Sequence, residues 1–381
     1  MSAAPAPALI ALLSLSAADA LGAATEFKTP EAIRARYGES ISTYQPGSVF
    51  GFAPGEATDD SQMVAATLLG YRKGDGLPGV LAGLRDWLST APPDVGGLTR
   101  AALRLGTLDG GVRAWEHSRF QSAGNGGLMR IAAVWLRGFQ GEELNRESAL
   151  VTALTHADPR CVFASVFFTA LLGRLAAGQP FQAAAEESLQ VMDASDARSV
   201  LLDAGLFGVD TRAAFGAFKA TERQARADVR RAARAGLSGQ VRSQSGYVLD
   251  TLQAALAHAQ AGTWLGCVEP AVLLGDDSDT VACVVGALCG ARGLTSPNWR
   301  CRSICCRSCG WATPGRGGSG IGPAPSISPN CWHDRRGVSG AGAAQPGQRG
   351  PAGPAAATRC LCAGSPAGGR LTVRHRLERA K

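Results

Sequence analysis

The stretch LGDDSDTVACVVGALCG, Leu274–Gly290, places three carboxylates directly before a run of small apolar residues. The run from Val281 to Ala291 contains no charged residue and predicts a buried helix. One Asp, Ser or Thr is enough to cap a helix N-terminus, whereas Asp276, Asp277 and Asp279 repel one another and need a positive partner where water is excluded. Two interpretations follow: an over-acidic helix cap, or a site for a hard cation such as Mg2+, Mn2+ or Ca2+.

A second acidic cluster of the same kind lies more than two hundred residues upstream. In ATDDSQMVAATLLG, residues 57–70, the side chains of Thr58, Asp59, Asp60 and Ser61 stand at the start of another apolar helix. Two such helix starts brought face to face could hold a pair of divalent cations, as in known two-metal sites. The pairing favours the metal interpretation over two independent caps.

The composition and periodicity of residues 1–293 predict an all-α fold, a single compact helical domain. Ala- and Leu-rich stretches alternate with Gly, Pro and Asp clusters, and no period-two alternation is long enough for a sheet. No Gly-rich phosphate loop follows a strand, which excludes the dinucleotide-binding and P-loop classes. The clearest predicted helices span residues 60–71, 80–89, 149–155, 160–177, 181–192, 213–235 and 247–260.

The basic charge of the chain is confined to residues 294–381. Twelve arginines and one lysine against Asp334 and Glu378 give this segment a net charge of +11, so residues 1–293 carry −4 of the total of +7. The segment also holds 15 Gly and 9 Pro in 88 residues and lacks apolar periodicity. Such a composition cannot bury enough apolar surface to offset its chain entropy, so we expect a disordered tail or a segment outside the domain.

Three interpretations of this tail remain open. It could be a basic arm for nucleic acid or an acidic membrane surface. A shifted reading frame in a GC-rich gene is the favoured alternative, because composition, charge and periodicity all change within a few residues of Arg292. A zinc site is the third, although paired CxxC units are missing. Its ligands would come from Cys301, Cys305, Cys306, Cys309, Cys331 and His333.

The remaining features predict a monomer in the cytoplasm. Cys161, Cys267, Cys283 and Cys289 stand singly in apolar segments, as small core residues do in a reducing compartment. The apolar start of the chain resembles the core of a signal peptide but lacks a basic region before it, so we do not expect a cleaved signal. We expect no membrane-spanning helix, and no nucleic-acid partner for the acidic domain.

Five sequence blocks, in this order, resemble those of the ADP-ribosylglycohydrolases, and most closely the bacterial branch of dinitrogenase reductase activating glycohydrolases. Each block is weak alone, but the ordered set is specific and covers roughly residues 8–293. The blocks are LSLSAADALGAATEF (13–27), TDDSQM (58–63), GNGGLMR (124–130), LTHADPR (154–160) and LGDDSDT (274–280).

The resemblance implies an all-helical domain with two Mg2+ or Mn2+ ions in a central cleft, which removes ADP-ribose from a modified protein or a small conjugate. Glu26 matches an acidic residue beside the metals, and we expect Glu26 and Asp59 to perform acid/base or water-positioning work, in an order that the sequence leaves open. The implied metal ligands are Thr58, Asp59, Asp60, Asp277, Asp279 and Thr280. The implied ADP-ribose-binding residues are Gly124, Asn125, Gly126, Gly127, His156 and Tyr247.

These residue types suit the implied chemistry. Cleavage at the ribose anomeric carbon develops oxocarbenium-like charge, which a nearby carboxylate stabilises while it or another carboxylate activates water. Glycines allow backbone N–H groups to approach a pyrophosphate closely. Taken without the resemblance, His156 is better explained as a structural residue at a helix end, Tyr247 could simply be a packing residue, and Asp19 is explained as a cap or brace of the first helix.

The chain departs from the family pattern at a few positions. Ser14 and Ala18 stand where glycines are usual, and because both are small we expect close helix packing to be retained. Asp276 stands where many members have glycine, and the resulting GDD resembles the bacterial branch and favours ADP-ribosyl-arginine as substrate. Two other classes stay open: a relative that binds ADP-ribose without hydrolysing a conjugate, and a nucleic-acid-binding protein that acts through its basic tail.

Overall fold

The computed structural model describes residues 7–297, and this part of the chain is all-α. Its β structure is limited to one isolated antiparallel bridge, between Gly124 and Tyr247. A short 3-10 helix covers Asn125–Gly127. The α-helices are α1 (Pro7–Gly22), α2 (Pro30–Tyr37), α3 (Asp59–Arg72), α4 (Gly76–Ser89), α5 (Gly97–Leu105), α6 (Gly110–His117), α7 (Ala132–Arg137), α8 (Gly141–Ala153), α9 (Pro159–Ala176), α10 (Phe181–Ala194), α11 (Ala197–Asp203), α12 (Arg212–Leu237), α13 (Val248–His258), α14 (Trp264–Leu274) and α15 (Ser278–Ala291).

Helix α9 is the centre of the core. It begins at Pro159, where the Asp158 side chain accepts a hydrogen bond from the Arg160 amide and so caps the helix. The helix packs against α8, α10, α12, α13 and α15. Its 18 residues have a mean hydropathy of 1.3, enough in length and composition to cross a membrane, but 78% of the helix is buried inside the protein. The apolar run is therefore explained by the core that surrounds it.

Helices α1 and α15 form the most extensive contact in the fold, although they lie at opposite ends of the described chain. Glycines on α15 allow this approach: a Cβ atom at Gly290 would lie 2.3 Å from the Ala11 Cα, and one at Gly286 would lie 2.7 Å from the Ser14 carbonyl oxygen. Ser14 also donates a hydrogen bond from its hydroxyl to the Gly286 carbonyl. The expected close packing at Ser14 and Ala18 is present, with both residues buried.

This helix pair positions the acidic segments. Gly22, the last residue of α1, lies against the start of α15, where a Cβ would come within 2.6 Å of the Asp279 Cα. Helix α3 contacts both α1 and α15. The C-terminal end of α1 and the N-terminal ends of α3 and α15 therefore meet at one place.

The predicted helices agree with the structure in type, and most of their ends differ by only a few residues. The prediction for residues 60–71 corresponds to α3, and that for residues 160–177 to α9. The largest difference is at α8, predicted from residue 149, which begins at Gly141. The first half of α8 is mostly polar and exposed, so it carries no apolar signal. All four cysteines of the predicted domain are buried free thiols, as expected.

The predictions for the basic tail fall outside the described residues, apart from residues 294–297. The proposed domain boundary near residue 293, the zinc site and the shifted reading frame therefore stay predictions.

A glycine exchange tests the α1–α15 contact. We expect Gly290→Ala to lower the free energy of unfolding by about 1–3 kcal/mol, because the new methyl group meets the α1 backbone and forces the helices apart. Gly216→Ala is the matched control, since Gly216 is exposed on α12 with open space around it. The control should raise stability by roughly 0.5–1 kcal/mol. Urea unfolding of both variants measures the difference, and equal stability of the two would contradict the packing described.

Candidate active site

Buried carboxylates converge where these helix ends meet, six of them from four segments and a seventh, Asp94, from the loop between α4 and α5. Asp19 comes from the end of α1, Glu26 from the turn that follows, Asp59 and Asp60 from the start of α3, and Asp277 and Asp279 from the start of α15. In three groups of three residues, one carboxylate oxygen per residue lies within 4.8 Å of the others. The groups are Asp19–Asp60–Asp279, Glu26–Asp277–Asp279 and Asp59–Asp94–Asp279. Asp279 belongs to all three.

The side chains at the N-cap positions of the two helices do not cap them. Thr58 and Asp277 precede α3 and α15, and neither makes a side-chain capping hydrogen bond. The cap of α3 is supplied from α1 instead: Asp19 accepts hydrogen bonds from the Thr58 amide at 3.2 Å and the Ser61 amide at 3.1 Å. Asp19, expected to brace its own helix, therefore holds α3 in place. This pattern argues against the interpretation of the clusters as caps.

Three carboxylates of the cluster have no basic partner within residues 7–297, since no ion pair there involves Asp19, Asp60 or Asp279. The Oδ1 atoms of Asp60 and Asp279 are buried and accept no hydrogen bond from the described part of the chain. An oxygen atom buried in this way lowers the stability of the folded protein unless a cation or a hydrogen-bond donor lies beside it. An all-oxygen set with free acceptor atoms fits a hard divalent cation.

Burial and like charge change the acidity of the cluster. Burial, followed by the charges of Asp59 and Asp19, raises the pKa of Asp60 well above its usual value. Burial and the charge of Glu26 do the same to the pKa of Asp279. The pKa of Asp19 is raised by burial to about 6. Without a cation, the cluster therefore retains protons that a bound cation would displace.

All six residues predicted as metal ligands lie at this junction. The Thr280 hydroxyl donates to Asp60 Oδ2 at 3.2 Å and so links α15 to α3. The Thr58 hydroxyl donates to Asp19 Oδ1 at 2.6 Å and lies 3.2 Å from Asp60 Oδ2. The structure thus brings the predicted ligands together, and their assignment as ligands stays a prediction.

Sequence reasoning missed two carboxylates of the cluster. Asp19 is the only charged residue of an otherwise apolar α1, a signal that could have marked it as a site residue. Asp94 lies in the loop APPDVGG between α4 and α5 and is only 3% exposed. A single Asp among prolines and glycines is typical of a turn, so nothing in the sequence distinguishes Asp94.

The predicted ADP-ribose-binding residues lie beside the acidic cluster. Asn125 connects the two, since its side-chain amide donates to Asp277 Oδ2 at 2.8 Å and to the Thr251 hydroxyl at 2.9 Å. The glycines around it pack on His156: a Cβ at Gly126 would lie 2.9 Å from the imidazole Cε1 atom. Only glycine fits there without displacing the ring.

Tyr247 lies on the other side of the glycine stretch. Its backbone pairs with Gly124 in the isolated bridge, and the Asn125 amide donates to the Gly246 carbonyl at 3.0 Å. The half-buried Tyr247 ring lies 5.6 Å from the Arg160 guanidinium carbon, and Arg160 donates to its hydroxyl at 3.2 Å. Arg160 is itself held by an ion pair with Asp158 at 2.8 Å. The ring is therefore fixed in place beside the glycine stretch.

An all-α domain with a buried carboxylate cluster beside a glycine stretch defines a class of hydrolase, and the family model confirms it. The model described as ADP-ribosylglycohydrolase matches residues 6–296. The chain belongs to the ADP-ribosylglycohydrolase family.

Relatives of known name agree with this assignment. The chain is 29% identical over 297 residues to the ADP-ribosylarginine hydrolase Tri1 of Pseudomonas putida (strain GB-1). The aligned region covers 74% of this chain and 69% of the relative. It is 26% identical to the protein of the same name from Serratia proteamaculans (strain 568), over 74% of this chain and 70% of the relative. A solved structure titled ADP-ribosylglycohydrolase-related protein complex matches 77% of this chain and 90% of its own, with a TM-score of 0.57 and 25% identity.

Divalent cations should stabilise the folded protein through this cluster. We expect Mn2+ to raise the melting temperature of chelator-treated protein, because the ion binds the folded state alone. The increase should be lost in Asp279→Asn, which removes a charge common to all three carboxylate groups. Asp203→Asn, a change at an exposed carboxylate of α11, is the control and should retain the increase. If Mn2+ does not change the melting temperature of the unmodified protein, the result would contradict a metal site.

The stabilisation by Mn2+ should grow with pH. The raised pKa values of Asp60 and Asp279 mean that the metal-free folded protein holds protons there, and the ion must displace them. We therefore expect a larger Mn2+-induced increase in melting temperature at pH 8 than at pH 6. Burial lowers the pKa of His156 to about 3 and of His258 to about 4, and these effects cancel when samples with and without Mn2+ are compared at one pH. An increase independent of pH would contradict proton displacement.

Proposed function

We propose that the protein is a metal-dependent hydrolase that releases ADP-ribose from ADP-ribosyl-arginine, on a protein or on a small conjugate. The observation that carries this proposal is the contact between the buried carboxylate cluster and the glycine stretch, made through Asn125 and Asp277. This contact supports a site for cations beside a site for an anionic nucleotide. The family supplies the class of reaction, and the two named relatives support arginine as the acceptor.

The carboxylate groups would hold two Mg2+ or Mn2+ ions. Asp19–Asp60–Asp279 and Glu26–Asp277–Asp279 share Asp279, an arrangement suited to two neighbouring cations. The ions would fix the ribose hydroxyls and lower the pKa of a nearby water molecule.

The residues of the chain itself account for the remaining chemistry. Water adds its oxygen to the ribose anomeric carbon as the bond to the arginine nitrogen breaks, and the water proton goes to the leaving guanidine. Glu26 and Asp59 are our candidates for orienting the water and moving this proton, because each lies in a separate carboxylate group with Asp279. Asp94, beside Asp59, joins them as a candidate. Their buried carboxylates also stabilise the positive charge that develops on the ribose.

The ADP part of the substrate would lie along residues 124–127. Gly124 and Gly126 lie directly against the His156 ring, and a Cβ at Gly126 would come within 2.9 Å of it. Backbone N–H groups in such a stretch can bind a diphosphate at close range. The Tyr247 ring offers a flat surface for the adenine. His156 and Tyr247 are thus proposed as binding residues rather than as packing residues alone.

Release of ADP-ribose distinguishes a hydrolase from a protein that only binds ADP-ribose. A relative that only binds ADP-ribose would retain affinity without hydrolysis, and it is disfavoured because the carboxylates predicted for catalysis and metal binding all lie in one buried cluster. We further propose that the protein acts in the cytoplasm as a monomer, in line with the unpaired thiols of the described region.

Release of ADP-ribose from ADP-ribosyl-arginine tests the function. We expect release by the full-length protein with Mg2+ or Mn2+, and none after treatment with a chelator. Asp279→Asn and Glu26→Gln should each lower kcat at least about 100-fold, the lower range for loss of an acid or base or of metal-assisted water. Asp203→Asn should retain full activity. Release that persists in Asp279→Asn, or is absent from folded protein supplied with metal, would contradict the proposal.

A further inference from the structure

Arg130 is a buried cation without a carboxylate partner. Its side chain is fully buried, and none of the ion pairs formed within residues 7–297 includes it. The guanidinium is bound by neutral oxygens instead: Nη1 donates to the Gly126 carbonyl, and Nη2 donates to the Val151 carbonyl at 3.1 Å and the Thr155 hydroxyl at 2.7 Å. Burial lowers the pKa of Arg130 to about 9, so the group is still charged at neutral pH. Burying a charge without an ionic partner opposes folding, so we expect Arg130 to have a functional role.

The Thr155 hydroxyl is the connection between Arg130 and His156. Thr155 Oγ1 lies 2.7 Å from the imidazole Nδ1 atom. Arginine can only donate, so Thr155 must accept from Arg130. Its own proton is then left to donate to His156 Nδ1, the one acceptor with which the hydroxyl forms a hydrogen bond within residues 7–297.

The direction of this hydrogen bond fixes the tautomer of His156. A nitrogen that accepts a hydrogen bond carries no proton, so a neutral imidazole must carry its proton on Nε2. Burial and the charge of Arg130 lower the pKa of His156 to about 3, which keeps the ring neutral throughout the physiological range. The ring is therefore a permanent donor at Nε2.

The Nε2 atom faces the glycine stretch. It lies 3.4 Å from the position that a Cβ would take at Gly124 and 3.1 Å from that at Gly126, so the backbone of the stretch packs close to it. Arg130 donates to the Gly126 carbonyl, so this oxygen is already paired with a cation. A donor on His156 beside a carbonyl that is already paired suits an anionic oxygen bound at the glycine stretch.

We propose that Arg130 and Thr155 are positioning residues, which hold His156 as a neutral imidazole protonated at Nε2 and directed at the diphosphate of ADP-ribose. The inference rests on the proposed function for the identity of the ligand. The tautomer itself depends only on the contacts among these three side chains and can be measured without any ligand.

The first measurement is the tautomer of His156 in the unmodified full-length protein. Nitrogen-15 NMR of histidine-labelled protein distinguishes protonated from unprotonated ring nitrogens, and the signal is assigned by its loss in His156→Gln. We expect a protonated Nε2 and an unprotonated Nδ1. A proton on Nδ1 would overturn the proposal without reference to any variant.

The second measurement compares Thr155→Val with Thr155→Ser. Valine keeps the shape of threonine but removes the hydroxyl, whereas serine keeps the hydroxyl. We expect Thr155→Val to populate the Nδ1-protonated tautomer and to weaken ADP-ribose binding, measured by calorimetry, by roughly tenfold, the usual effect of one hydrogen bond to a charged group. Its KM should rise with kcat changed by less than about threefold, since the residue acts on binding. Thr155→Ser should retain the tautomer and the affinity of the unmodified protein.

The outcomes separate this inference from the proposed function. A Thr155→Val protein with unchanged tautomer and unchanged affinity would overturn the positioning role. Unmodified protein that shows the expected tautomer, lost in Thr155→Val, yet binds no ADP-ribose would support the positioning by Thr155 and overturn the proposed ligand.

Discussion

The mutual repulsion of the buried carboxylates is the constraint on which the site depends. Asp279 lies within reach of Asp19, Glu26 and Asp60, which come from three different segments of the chain. Bringing like charges together in a buried place opposes folding, and the apolar contact between α1 and α15 must overcome that opposition. The tight glycine contacts along α15 allow a large apolar area to be buried there. The close packing of α1 against α15 thus holds together carboxylates that repel one another.

The two halves of the site are joined by uncharged polar groups. Asn125 donates a hydrogen bond to Asp277, which links the glycine stretch to the carboxylate cluster. Below that stretch, Arg130 supplies positive potential, while the cluster beside it supplies negative potential. The separation of charge suits the proposed substrate, which carries an anionic diphosphate at one end and a cationic guanidinium at the other.

Much of this arrangement could be predicted from the sequence, and the exceptions have physical reasons. The starts of α3 and α15 were recognised because carboxylates before an apolar helix form a local pattern. Asp94 was missed because its role arises from a contact with Asp279, nearly two hundred residues away, that no local pattern encodes. Arg130 lies within the GNGGLMR block, but the sequence does not indicate that its side chain is buried or that it contacts Thr155. Both features arise from the fold. The type of each helix followed from composition, whereas the exposed start of α8 did not.

The contact of the first helix with the last has a consequence for synthesis of the protein. Asp19 leaves the ribosome some 260 residues before Asp279, and until α15 emerges α1 lacks the helix with which it makes its most extensive contact. During this interval α1 is a natural target for chaperones, because an exposed apolar helix is prone to aggregate. The cluster of carboxylates can form only after both helices have joined, so a nascent chain completes the candidate site in a single late step.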